Sequence, residues 1–99
     1  MRAILLVCAL VLTACQSHGD AMRIICNAPN DCEECRTADP AMRAMHLAEY
    51  IDGHVSNGEA QEMFRALANA DPAMRRTIIE QAAGAEGITE CPIVEVFAE

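Results

Sequence analysis

The chain has 99 residues, fifteen acidic against seven basic, no lysine and a net charge of −8. A protein this acidic, with arginines that cluster no further than the pair Arg75-Arg76, repels phosphate backbones, and this argues against a nucleic-acid partner. Its only aromatic residues are Tyr50, Phe64 and Phe97, a thin supply for the core of one small domain, so a covalent or metal staple is expected.

The chain opens with Arg2 and an uncharged, almost wholly apolar run from Ala3 to Ala14. As a helix this run rises roughly 18 Å, whereas a bilayer core takes about twenty residues, so it reads as a secretion signal and not as a span. It ends in Leu12-Thr13-Ala14-Cys15, and the polar residues Gln16 to Asp20 begin at once. This ending resembles the lipobox of the bacterial lipoprotein class. The resemblance implies cleavage before Cys15, acylation of its thiol and new amino group, and loss of Cys8 with the signal. Gln16 stands where inner-membrane retention would need Asp, which implies anchoring at the outer membrane, facing the periplasm. The chain then divides into a signal peptide at 1–14, a lipidated cysteine with a short polar tether at 15–20, and a helical domain at 21–99. Loss of Arg2 leaves six basic residues against fifteen acidic, a net charge of −9.

A first short helix is expected from Asp20 to Asn27, capped by Asp20 and presenting Met22, Ile25 and Cys26 inward. The hexapeptide Ala-Asp-Pro-Ala-Met-Arg then occurs twice, at 38–43 and 70–75. In each copy Asp can accept from the free N–H groups of a first helical turn, and Pro loses nothing at the next position. The residues after the two copies differ, so the copies read as two good helix starts and not as a structural repeat. The first runs from Pro40 to Val55 with Ala44, Leu47, Ala48, Ile51 and Val55 on one face. Ser56-Asn57-Gly58 breaks it. The next spans Glu59 to Ala70, with an apolar stripe of Ala60, Met63, Phe64, Leu67 and Ala68. The last begins at Pro72, buries Met74, Ile78, Ile79 and Ala82, and ends at Gly84 or Gly87. Connections this short make neighbours antiparallel. The segment from Ile88 to Phe97 is β-branched in character but has no partner strand, so it is expected to pack as an extended arm. The expected fold is all-α: a small three- to four-helix bundle with an extended C-terminal arm, stapled by disulfides.

Export places Cys26, Cys32, Cys35 and Cys91 in an oxidising compartment, where four cysteines in a small domain read as a disulfide framework with three pairings. Cys26–Cys91 with Cys32–Cys35 closes the longest loop and is preferred, worth roughly 4 kcal/mol on chain entropy. Cys26–Cys32 with Cys35–Cys91 stays open. Cys32-Glu33-Glu34-Cys35 also has the C-x-x-C spacing of thiol–disulfide oxidoreductases, with Asp31 as a cap placing Cys32 at the first helical position. Against redox chemistry stand the negative Asp31, Glu33 and Glu34, the absence of a βαβ pattern, and the early stop at Thr37 to Pro40.

The cysteine spacing matches no strong zinc or iron–sulfur pattern, and Arg36 after Cys35 rules out c-type haem attachment. Met42, Met45 and His46 have soft ligands that would suit Cu(I), yet methionines at helical spacing read first as core filler. His46 and His54, about 12 Å apart along a helix, cannot share one ion and read as surface residues. No serine or threonine stands in a nucleophile-elbow context and there is no phosphate loop. The expectation is a membrane-anchored, non-enzymatic helical module that meets a protein or envelope partner and needs no cofactor. A thiol–disulfide redox or metal-handling lipoprotein acting through Cys32 and Cys35 is the alternative.

Overall fold

The first helix, read from sequence as a short flanking piece, is the centre of the fold. In the computed structural model, which describes residues 16–97, α1 spans His18–Asp31. It contacts every other helix of the bundle. Its cap is Ser17, not Asp20: Ser17 is extended, and its Oγ accepts from the Asp20 amide at 3.0 Å. Asp20 falls in the first turn, where its charge complements the helix dipole. The helix continues past Asn27 and through Pro29 to Asp31. Pro29 lacks the N–H that would meet the Ile25 carbonyl, a local loss outweighed by the packing of the apolar face. Gly19, Ala21, Met22, Ile25, Cys26 and Ala28 are buried. At about 1.5–3 kcal/mol for each large side chain withdrawn from water, Met22 and Ile25 anchor the core.

A second helix, α2, is short, Glu33–Thr37, and α3 spans Pro40–His54. Helix α4, Gly58–Ala66, is capped by Asn57 and passes into a 3₁₀ turn at Leu67–Asn69. Helix α5 spans Pro72–Ala85. The two hexapeptides perform one structural job twice. Each brings an extended Ala-Asp pair, Ala38-Asp39 or Ala70-Asp71, before a proline-led helix. Each also sends its arginine back over the corner: Arg43 Nε donates to the Cys35 carbonyl at 3.2 Å, and Arg75 Nε to the Leu67 carbonyl at 2.9 Å. The caps differ, because Asp71 Oδ1 accepts from the Met74 amide at 2.8 Å while Asp39 makes no side-chain cap bond.

The core combines Leu47, Ile51 and Val55 of the α3 segment, Ala60 and Leu67, and Ile79 and Ala83 with the α1 face. Met74 was expected inside but is 52% exposed. It lies five residues, or about 500° at 100° per residue, before Ile79, which turns it to the outer side of α5. Ala44, Ala48 and Ala68 are also exposed, because α3 and α4 pack chiefly on α1 and leave a gap between their facing sides.

Gly87 ends α5. With φ +72° it takes the left-handed conformation, its amide donates to the Gly84 carbonyl and the Ile88 amide to the Ala83 carbonyl, both at 3.0 Å. This is a Schellman closure. The C-terminal segment is not an extended arm throughout, since Ile93–Phe97 forms α6. Pro92 is pre-set for a helix start, and the Cys26–Cys91 bond holds the segment against α1, where Ile93 and Val94 are buried. Tertiary packing overrides the β-branched preference. Among the described residues there is no strand, and the protein is a small all-α bundle stapled by disulfides.

Candidate functional site

Cys26 pairs with Cys91 and Cys32 with Cys35. Cys15 lies outside the described residues. Cys32 is not at the first position of a helix capped by Asp31. It is itself the N-cap of α2, with its Sγ accepting from the Cys35 amide at 3.1 Å. The two residues are 5% and 1% exposed and belong to the core, so an attacking thiolate has little access to either sulfur. Asp31, Glu33, Glu34 and Glu49 line the cleft that Cys32 borders, so its surroundings are acidic.

His46 shares this cleft. Its Nδ1 is 3.6 Å from Glu34 Oε2, beyond hydrogen-bond reach, and is buried without a partner. Its side chain is largely covered, which corrects the surface reading, whereas His54 is exposed and stacks on Tyr50 with ring centroids 4.0 Å apart. Met42 and Met45 point outward from α3 at 42% and 46% exposure, so they are not core filler. No group of three or more His, Cys, Asp or Glu is placed to hold a metal among the described residues.

A more apolar opening lies elsewhere. Between α3 and α4 a groove of about 390 Å³ is lined by Ala48, Ile51, Phe64 and Ala68. Sharing Ala48, Phe64 and Ala68, a second hollow of about 380 Å³ extends it past Ala44 and Leu67 to Val96 and Phe97. Phe97 meets Phe64 edge to face, centroids 5.7 Å apart, and closes that end. The lips carry opposite charge, with Glu49 and Asp52 on the α3 side and Arg65 and Arg75 on the other. The alanines on both walls let a backbone approach closely. Ala44, Ala48 and Ala68, expected on packed apolar faces, instead line this open groove.

The N-terminal residues reveal a third feature. Gln16 is docked on the α3–α4 turn through its side chain and its carbonyl, so residues 16–20 are not a free tether. In comparisons with known protein-family models, curated proteins and solved structures, nothing matches this chain.

Proposed function

We propose that the protein is a lipid-anchored lipoprotein of the bacterial envelope, held at the outer membrane through Cys15. In this reading its helical body is a non-enzymatic docking module, and the α3–α4 groove receives an amphipathic helix from a partner protein. The observation that carries the docking reading is the groove itself: an apolar floor, small-residue walls, and carboxylates facing guanidiniums across the opening. A helix laying alanine- or leucine-sized anchors on Phe64, with basic residues toward Glu49 and Asp52 and acidic ones toward Arg65, meets each of these features. The anchor reading is supported by Leu12-Thr13-Ala14-Cys15 and by two disulfides, which form in exported proteins. The redox alternative is disfavoured because Cys32 and Cys35 are buried, bonded and flanked by carboxylates.

Two measurements test the proposal. Metabolic palmitate labelling should mark the wild-type chain and not Cys15→Ser; labelling that persists in the variant rejects the anchor. A photo-crosslinking residue at Ala68, in cells, should give a discrete adduct with another protein that Ala48→Arg abolishes, and the same probe at the exposed Thr77 should give none. Equal adducts from both positions, or none from Ala68, reject the groove as the docking site.

A further inference from the structure

Gln16 makes four hydrogen bonds to one turn. Its Nε2 donates to the His54 carbonyl at 3.1 Å, and its Oε1 accepts from the amides of Ser56 and Asn57 at 2.9 and 3.3 Å. Its own carbonyl accepts from Asn57 Nδ2 at 3.0 Å. The turn is braced from the other side as well. Asn57 Oδ1 accepts from the Ala60 amide at 2.9 Å to cap α4, and Gln61 Nε2 donates to the Val55 carbonyl at 2.8 Å. The N-terminal residue of the described chain is thus fixed to the body at the point where α3 ends and α4 begins.

A free tether of five residues would reach roughly 18 Å, but the Cα of Cys15 can lie only about 3.8 Å from that of Gln16. Resting on the lipoprotein reading, we propose that Gln16 is a clamp that eliminates the tether and sets the α3–α4 turn directly on the lipid headgroups. The surface there suits an uncharged or zwitterionic headgroup layer. Gly53, Ser56 and Gly58 are exposed and carry little or no side chain, and no arginine or lysine occurs between Arg43 and Arg65 to bind anionic lipid. Asp52 and Glu59 flank the turn and oppose an anionic surface. Acyl chains supply the affinity and the clamp supplies the orientation. Helix α3 then leads away from the membrane over fifteen residues, about 22 Å, and carries the groove at a fixed height.

The test uses the full lipidated protein in phosphatidylcholine nanodiscs that contain a gadolinium-chelate headgroup lipid, with amide signals read by NMR. Broadening should be several-fold stronger at Ser56 and Gly58 than at Ala41 and Ala73, which begin helices away from the turn. Gln16→Ala and the shorter Gln16→Asn, with folding checked by circular dichroism, should flatten this gradient while the lipid mass on Cys15 remains. Uniform broadening in the wild type, a gradient strongest at Ala41, or a gradient unchanged in both variants overturns the clamp and leaves the anchor standing. A wild-type chain with no lipid mass on Cys15 overturns the anchor and the clamp with it.

Discussion

Single residues show where local chemistry decides the fold. Gly87 and Gly84 are three positions apart, and a Cβ added at either meets nothing within 4 Å, so only the backbone distinguishes them. Gly87 is left-handed at φ +72°. Gly87→Ala should therefore cost about 1 kcal/mol or more. Gly84 is inside α5, and Gly84→Ala should stabilise by up to about 1 kcal/mol. Urea unfolding of the two variants checks the opposite signs, and two shifts in the same direction would contradict the assigned ends of α5. Both glycines stand near the end of this helix in the sequence, and the choice between them lies in φ, which the residue type does not record. Ser17 was hidden for a related reason: Ser17 and Asp20 are both good caps, and which one serves depends on where the chain leaves the Gln16 contact.

Elements were legible where the chain itself marks both ends of an apolar face. The stretches Pro40 to Val55 and Pro72 to Gly87 carry their own start and stop signals, and their helices appear close to the expected bounds. α6 was not legible, since Ile93, Val94 and Val96 favour strand locally and become helical only when Cys91 brings them onto α1. The groove was equally invisible, because it exists through the separation of α3 from α4 and no residue pattern records a separation. The repeated hexapeptide gave half of its meaning away, the helix start; the arginine latch emerged only in three dimensions. Arg75→Met keeps the stem and removes the bond to the Leu67 carbonyl, which retains the Ala70 amide as a donor. A loss of about 1 kcal/mol in urea unfolding is expected, because one partly buried bond is lost and no acceptor is orphaned. A loss of several kcal/mol would mean that the latch holds the whole α4–α5 corner.

The two disulfides act on the whole molecule very differently. Cys26–Cys91 spans 65 residues and encloses every helix from α2 to α5, whereas Cys32–Cys35 spans three. On chain entropy the long closure is worth about 4 kcal/mol and the short one about 2 kcal/mol before any native strain. Replacing Cys26 and Cys91 by Ala should lower Tm by more than about 15 °C while helical content persists in the cold. An unchanged Tm would contradict the stapling role. Replacing Cys32 and Cys35 by Ser should lower Tm less and leave anchoring and groove crosslinking intact, since the pair lies in the α1–α2 corner and lines neither the groove nor the Gln16 turn. The same region supplies the test against redox chemistry. In the reduced protein, burial and the surrounding carboxylates should prevent thiolate absorbance at neutral pH. Thiolate absorbance at neutral pH, together with turnover of a dithiol substrate that the double Ser variant lacks, would move the protein from docking module to oxidoreductase.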